Sequence, residues 1–395
     1  MKVLQIRSWA IAAVVVVPAC STDDTRMEMS TTQAADSMLQ VEVRIDGVAE
    51  DLVPIGLMLV AADGTMIVTQ QQDAAIRFFD IDGESMGSFG RSGEGPGEFR
   101  SLARIGWYHD TLWAFDSQLA RFTLISADRW LVRSILAPMQ ARPALADSGR
   151  IPEFPIAIPI GMLPDGGYHA YLSIAINQDV PERFRNASVY GVITEDGVVD
   201  RIIAFVASDP DCCIRADGPR GTSTASVPFT NRSRYVPSSD GKLGVRAAEV
   251  PADDGAAIAV TVFTTDGDTV FATQYPVTRV AIAPSVRDSI SRSRIAQLEQ
   301  ASPDLADAFR RQARIPEFYP AIANLLVGRD GSVWIEEPTA DENRLYLALS
   351  PTGEPLGRLR LPGHSRIAVA EQSRIWVLER DHDDVQSVVR YRVRW

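Results

Sequence analysis

The sequence predicts an all-β fold: a six-bladed β-propeller of four-stranded antiparallel blades, with a short helical insertion before blade five. Many segments alternate apolar with polar side chains and are rich in Val, Ile, Tyr, Phe and Trp, which is the period-two pattern of β-sheet. An Asp-bearing turn, a strand, a hairpin and a further strand recur along the 395 residues in six copies. A small sheet cannot bury both its faces alone, so the copies are expected to pack face to face around an axis.

Turns with Asp and usually Gly mark the copies. The opening turns of the first five are Asp63-Gly64, His109-Asp110, Asp165-Gly166, Asp240-Gly241 and Asp330-Gly331. The sixth copy supplies three predicted strands, at 366–370, 374–380 and 387–395, and lacks a fourth. The alternating segment LQVEVRID, at 39–46, precedes the first copy. We expect it to complete the last blade, because one sheet holding both ends of the chain stabilises a ring against opening.

The uneven spacing of the turns requires inserted segments. One of them, at 285–314, combines good helix formers with spaced apolar residues, and it predicts a helical pair broken near Ser302-Pro303. The pentapeptide RIPEF occurs at 150–154 and again at 314–318, each time before a new blade. The two copies are either equivalent connections between blades or a coincidence.

The N-terminus has the pattern of a secretory signal. Lys2 and Arg7 flank the start of an apolar run at 9–17 that is too short to span a bilayer as a mature helix. The run ends in VPAC, which resembles the lipobox of bacterial lipoproteins and makes Cys20 the lipidated residue. An ordinary secretory signal with an incidental cysteine is the alternative.

The lipoprotein resemblance divides the chain into three parts. It implies a signal peptide at 1–20, a flexible tether at 21–38 and a propeller at 39–395. The tether is polar and has no period, as expected of a segment that holds a domain off a membrane. Ser21 is not the aspartate that commonly retains such proteins at the inner membrane. We therefore expect a lipid-anchored protein of the cell envelope, at the outer membrane, facing the periplasm or the cell surface.

The first two copies closely resemble NHL-type repeats. The resemblance rests on FFDIDGESMGSFGRSGEGPGEF and on LWAFDSQLARFTLI, in which Asp116 and Arg121 match the family pattern, and it covers 58–125. Later copies keep the strands but lose the GPGEF element. The whole chain resembles bacterial six-bladed propeller lipoproteins of the NHL-repeat and TolB-like group. This resemblance implies the fold strongly and the function weakly.

The glycine-rich stretch SMGSFGRSGEGPGEF, at 85–99, is not a nucleotide site. A P-loop requires Lys followed by Ser or Thr after its last glycine, whereas Glu98 and Phe99 follow here. Pro96 and the alternating segment that follows argue against a helix, which a dinucleotide fingerprint requires. We expect turns that lead from the outer strand of blade one back to the axis, with Phe99 packing against the next blade.

No recognisable catalytic set is present, and we predict no catalytic, cofactor or metal residues. A Gly-x-Ser-x-Gly elbow is absent, and the histidines, which are His109, His169, His364 and His382, form no close cluster with each other or with cysteine. Adjacent Cys212 and Cys213 are a poor zinc site, so a strained disulfide across one loop or two inert thiols are expected.

One enzymatic alternative to a binding module remains. Some six-bladed propellers hold an axial calcium or zinc ion and use it to polarise a lactone or similar ester. The ligands come from different blades, so spacing cannot reveal them. The candidate ligands that can be named are Asp116, Glu336 and Glu337. Asp116 matches a repeat position, so its presence requires no functional explanation.

The charge balance of the chain restricts the class of partner. Asp and Glu outnumber Lys and Arg by 51 to 39, which gives a net charge of −12 and argues against nucleic acid. We expect an interaction module rather than an enzyme, held at a membrane by its anchor and binding a protein, peptide or glycan. A metal-dependent hydrolase or lyase with its site on the propeller axis is the alternative.

Overall fold

The computed structural model describes residues 38–52, 54–144, 151–174, 180–185, 187–207, 209, 211–218, 221–231, 233–252 and 255–395. It confirms the fold class, because six small antiparallel sheets follow one another along the chain. The predicted signal peptide with Cys20, and the tether up to residue 37, lie outside the described residues.

The first three blades follow strand β1 (Met38–Ile45). Blade one comprises β2 (Met58–Val60), β3 (Met66–Gln70), β4 (Ala75–Phe79) and β5 (Ser85–Phe89). Blade two comprises β6 (Leu102–Tyr108), β7 (Thr111–Asp116), β8 (Arg121–Ile125) and β9 (Leu131–Leu136). Blade three comprises β10 (Arg142–Pro143), β11 (Ile156–Met162), β12 (Tyr168–Ser173), helix α1 (Glu182–Arg185) between strands, β13 (Ala187–Ile193) and β14 (Val198–Ala207). The two-residue β10 is a fifth strand, parallel to β14.

The last three blades follow a separate hairpin of β15 (Cys213–Gly218) and β16 (Gly221–Ser226). Blade four comprises β17 (Arg234–Pro237), β18 (Leu243–Ala252), β19 (Gly255–Thr264) and β20 (Thr269–Val277). Two helices follow, α2 (Pro284–Ala301) and α3 (Pro303–Gln312). Blade five comprises β21 (Asn324–Val327), β22 (Val333–Glu337), β23 (Arg344–Leu349) and β24 (Pro355–Leu361). Blade six comprises β25 (Ser365–Glu371), β26 (Arg374–Arg380), β27 (Gln386–Arg394) and β1.

The predicted closure of the ring is confirmed. β1 begins at Met38, one residue before the predicted segment, and pairs antiparallel with β27, for example Met38 with Arg394. Glu42 of β1 strengthens the joint, because its carboxylate accepts hydrogen bonds from Arg374 and Arg390 at 3.0 Å and from Arg392 at 2.7 Å. The first and last strands that the structure describes therefore belong to one blade.

The inner strand of each blade lies at the axis; it is β11 in blade three and the first strand in every other blade. Neighbouring inner strands contact one another around the ring: β25 with β2, β2 with β6, β6 with β11, β17 with β21, and β21 with β25. Side chains of adjacent sheets interdigitate between them; for example, Phe122 of blade two stacks on Tyr168 of blade three with ring centroids 5.1 Å apart. The core thus consists of layers between blades.

The up-and-down order of the strands gives the ring two different faces. Each inner strand starts at the face where the chain arrives from the preceding blade, which we call the insertion face. It ends at the opposite face, the turn face, in a short turn such as that at Gly64, whose backbone φ of +92° suits glycine. Successive strands are antiparallel, so the turn between the third and fourth strands also lies on the turn face.

The predicted helical pair is confirmed and packs on the hairpin β15–β16. Helix α2 ends at Ala301, Ser302 caps it, and α3 starts at Pro303, so the break lies where the sequence predicts it. Phe309 and Leu305 of α3 are buried in one apolar cluster with Ile214 and Val227 from the hairpin region. The two insertions that precede blades four and five therefore form one unit on the insertion face, which we call the insertion platform.

The glycine-rich stretch is a connection between blades, as predicted. Arg121 of β8 donates hydrogen bonds to the carbonyl oxygens of Glu94, Gly95 and Glu98 at 2.7–3.0 Å. Phe99 is fully buried between blades one and two. Gly90 has a φ of +96°, and a Cβ there would lie 2.6 Å from the Phe99 ring, so this position requires glycine.

Candidate functional site

Three arginines occupy the same position in the inner strands of alternate blades. Arg104 lies in β6 of blade two, Arg234 in β17 of blade four and Arg366 in β25 of blade six. Arg104 and Arg234 each stand six residues before the Asp of the turn that follows, and Arg366 stands six before Gln372, which replaces that Asp. Inner strands all run from the insertion face to the turn face, so equal positions lie at equal height along the axis.

Each arginine reaches toward the next blade around the ring. The Nη2 atom of Arg234 donates a hydrogen bond to the carbonyl oxygen of Ala323, at the start of blade five, over 3.2 Å. The Nη2 atom of Arg366 lies 3.5 Å from the carbonyl oxygen of Gly56, ahead of blade one. Arg104 interacts electrostatically with Tyr190 of blade three. We call these three residues the arginine ring.

The surroundings of the arginine ring are those of a channel rather than of an outer surface. Arg104 and Arg366 are both accessible to solvent. Burial nevertheless lowers the pKa of Arg104, and the Tyr190 hydroxyl opposes this shift. Burial also lowers the pKa of Arg366, where Tyr346 and Glu336 act in the opposite direction and Arg344 acts in the same one. Side chains that protein surrounds while water still reaches them fit a position inside the ring.

The other end of the channel is narrowed by backbone. The amide of Trp107, near the end of β6, donates a hydrogen bond of 2.8 Å to the carbonyl oxygen of Ser239 in the turn of blade four. This bond joins blades that are not neighbours in the ring. The arginine ring, at the start of the inner strands, therefore lies toward the insertion face and away from this bridge.

A buried histidine lies between blades three and four. His169 is fully buried, and its Nε2 atom lies 2.6 Å from the Tyr235 hydroxyl. Burial lowers the pKa of His169 to about 3, and Arg201 adds to the shift. The Tyr190 ring packs on Tyr235 with centroids 4.3 Å apart. His169 is therefore a neutral core residue at physiological pH.

The three carboxylates named as axial candidates are held by structural contacts. Asp116 accepts hydrogen bonds from four backbone amides, at 100, 101, 118 and 119, over 2.6–3.2 Å. Glu336 pairs with Arg344 at 2.7 Å, and Glu337 pairs with Arg358 at 2.9 and 3.1 Å. Among the described residues, no group of three His, Cys, Asp or Glu side chains is arranged to hold a metal ion.

Cys212 and Cys213 lie at the start of the insertion platform. Their Sγ atoms are 2.8 Å apart, which is longer than the roughly 2.05 Å of a disulfide bond but within contact distance. Of the other histidines, His109 and His364 are exposed, and His382 lies at the exposed tip of a hairpin, where its Nε2 atom is 3.1 Å from Asp383. None of these residues belongs to the arginine ring.

A cavity of about 560 Å³ lies where β10 meets the turn that precedes β14 of blade three, away from the axis. Arg142, Glu153 and Asp196 line it, together with the buried Phe154. Phe154 is the last residue of the first RIPEF segment and pairs with Ala141, as Phe318 of the second segment pairs with Ala281. The two segments thus make the same kind of connection before blades three and five.

Sequence reasoning missed the arginine ring because its members come from different blades. The signal is nevertheless present: a polar residue stands six positions before the turn Asp in blades two, four and five, where Asn324 takes the place of arginine. Aligning the copies on that Asp would have found it.

Comparisons with known proteins show the fold alone. No family model matches the chain, and no curated protein matches it significantly. A solved member of the duf4221 family from Bacteroides vulgatus is 11% identical with a TM-score of 0.50, over 91% of this chain and 98% of that one. A putative exported protein from Bacteroides fragilis is 10% identical with a TM-score of 0.46, over 90% and 95%. A virginiamycin B lyase from Staphylococcus aureus is 12% identical with a TM-score of 0.39, over 90% and 99%.

Proposed function

We propose that the protein is an exported, lipid-anchored binding module of the cell envelope that presents its insertion face to a protein, peptide or glycan partner. The observation that carries the proposal is the opposite placement of the tether and the insertions. Met38 pairs with Arg394 at the end of β27, which lies on the turn face, so the tether joins the ring there. The insertion platform and the arginine ring lie on the other side, and a lipid on Cys20 would direct them away from the membrane.

The insertion platform is suited to binding a partner because it is an addition to the ring that the closure of the blades does not use. Its apolar cluster is internal to itself, with Leu298, Phe309 and Ala225 buried against one another. The blades close into a ring by inner-strand contacts and the β1–β27 pairing, in which the platform takes no part. Long connections on a rigid scaffold are where propellers and other folds place recognition surfaces.

A site-specific cross-linking experiment tests the proposal. A photoreactive amino acid replaces Val286, an exposed residue of α2 on the insertion platform. The matched control carries it at Ile81, an exposed aliphatic residue in a hairpin turn on the turn face. We expect a discrete cross-linked species in intact cells with the label at 286 and none at 81. Cross-links at 81 alone, or at neither position, contradict the proposal.

The anchor is tested separately. Labelling with a lipid precursor should mark the wild-type chain and leave Cys20→Ala unmarked. Among the described residues, no helix is long and apolar enough to cross a membrane. In this proposal the lipid attaches the protein to the membrane. We expect Cys20→Ala to appear in the soluble fraction when cells are fractionated.

The two adjacent cysteines report on export. In an oxidising compartment we propose that Cys212 and Cys213 form a disulfide that ties the start of β15. Peptide mapping of the protein isolated from its host, alkylated without reduction, should show that peptide lighter by two hydrogens and without alkyl groups. A doubly alkylated peptide would contradict the disulfide and would leave the anchor to be decided by lipid labelling.

A further inference from the structure

The arginine ring carries positive charge that no carboxylate of the described chain neutralises by an ion pair. The protein is acidic, with a net charge of −12, and many of its other arginines form ion pairs. Arg104, Arg234 and Arg366 form none with a described carboxylate. The Nε atom of Arg234 is also buried without a hydrogen-bond partner among the described residues. Glu336, which interacts electrostatically with Arg366, is already bound by Arg344.

Three guanidinium groups at one height around a channel define the chemistry of a ligand. Guanidinium is a planar fork that binds carboxylate, phosphate or sulfate oxygens in pairs, and it keeps its charge at any physiological pH. The three blades alternate around the ring, so the charges lie on different sides of the axis, each beside the blade that follows its own. A single small anion would engage one arginine, whereas a ligand with several oxyanion groups engages more. Asn324, at the equivalent position in blade five, adds an exposed amide.

We propose that the arginine ring is a binding site for a polyvalent oxyanion, that is, a ligand with two or more carboxylate, phosphate or sulfate groups that enters the channel from the insertion face. The proposal rests on the proposed function and gives the chemical class of what that face binds. Tyr190 interacts electrostatically with Arg104, and its ring packs against Tyr171 with centroids 5.6 Å apart. The Tyr190 hydroxyl is therefore a further polar group on this side of the site.

The test uses the mature chain and defined probes. Binding of citrate and of pyrophosphate is measured by calorimetry at low ionic strength, with sodium chloride of equal ionic strength as the reference. The variants are Arg104→Gln, Arg234→Gln and Arg366→Gln. Arg133→Gln is the matched control, because Arg133 is an exposed arginine on β9, the outer strand of the blade that holds Arg104.

We expect one site per chain for at least one probe, and each of the three variants should weaken it at least about tenfold, whereas Arg133→Gln should leave it unchanged. Binding of citrate alone identifies a carboxylate ligand, and binding of pyrophosphate alone identifies a phosphate ligand. Arg234→Lys should recover part of the affinity, since it keeps the charge and loses the fork. Circular dichroism establishes that each variant is folded.

Three results would overturn the proposal: neither probe binds, Arg133→Gln weakens binding as much as the ring variants do, or binding persists when all three arginines are replaced in a folded triple variant. Failure of the anion-binding proposal would not contradict the proposed function. Cross-linking from position 286 without any anion binding would mean that the insertion face serves a partner through the platform and not through the channel.

Discussion

At the scale of single residues, Asp116 is a buried polar group whose two carboxylate oxygens are both used in hydrogen bonds. They accept hydrogen bonds from four backbone amides, which fixes the connection into blade two and the hairpin after β7. The sequence indicated this residue as a repeat position, because the hairpin that it caps is local. It could not indicate Arg104, Arg234 and Arg366 as one group, since only the closed ring brings them to one height.

Replacing Asp116 should cost stability without affecting ligand binding. Asp116→Ala leaves four amides without their acceptor in a buried place, so we expect the free energy of unfolding to fall by about 2–4 kcal/mol. Urea denaturation measures it. Asp128→Ala, at an exposed turn of the same blade, is the control and should change stability by less than about 0.5 kcal/mol. Equal effects of the two substitutions would refute the structural role.

His169 should make the protein sensitive to acid. Burial lowers its pKa to about 3 in the folded state, from the ordinary value of 6.5, so between these values the unfolded chain binds a proton that the folded chain does not. Stability is then fully present above pH 6.5 and falls as the pH decreases, by up to about 1.4 kcal/mol per pH unit from this group. Denaturant midpoints between pH 4 and 7 should decline less steeply in His169→Gln than in the wild type. The exposed His364→Gln should follow the wild type.

At the scale of elements, the insertion platform has its own small core. The helix pair and its break were predictable from local periodicity and from Pro303. Their docking on β15–β16 was not, because the contact joins α3 to a hairpin that precedes blade four. Nor was the parallel strand β10, whose two residues carry no strand signal of their own.

The platform should open independently of the blades. Phe309→Ala removes a buried ring from its core, and we expect local stability to fall by about 3–5 kcal/mol. Hydrogen exchange should accelerate in α3 and in β15–β16, while amides of blades one and six keep their wild-type protection. Phe115→Ala, in the layer between blades two and three, should instead accelerate exchange in the blades. Uniform acceleration in Phe309→Ala would show that platform and ring unfold together.

At the scale of the whole molecule, the pairing of β1 with β27 closes the ring. The sequence predicted that segment 39–46 would complete the last blade, because the sixth copy lacked a strand and this segment alternates. It did not reveal how Glu42 is bound by three arginines of β26 and β27. Burial would raise the pKa of Glu42, but hydrogen bonds from Arg392 and Arg374 outweigh it, so the pKa is lowered.

Glu42→Gln should weaken the closed ring in a pH-dependent way. The charge on Glu42 contributes stability above its ordinary pKa of 4.5, and the contribution is lost as the pH falls through the lowered folded value. We expect a loss of about 1–3 kcal/mol at pH 7, which diminishes in acid as the wild-type carboxylate becomes protonated. Thermal unfolding at pH 7 and at successively lower pH values measures it. A difference that stays constant with pH would contradict the ionic role of Glu42.

The pairing of β1 with β27 also affects how the chain folds. Of the described strands β1 is synthesised first and β27 last, so the backbone groups along the pairing edge of β1 stay unpaired until β27 exists. A chain cut before β27 leaves β1 without its partner, and the sixth blade keeps open edges. Such truncated chains expose unpaired strand edges, which promote aggregation. Closure of the ring therefore requires all six blades.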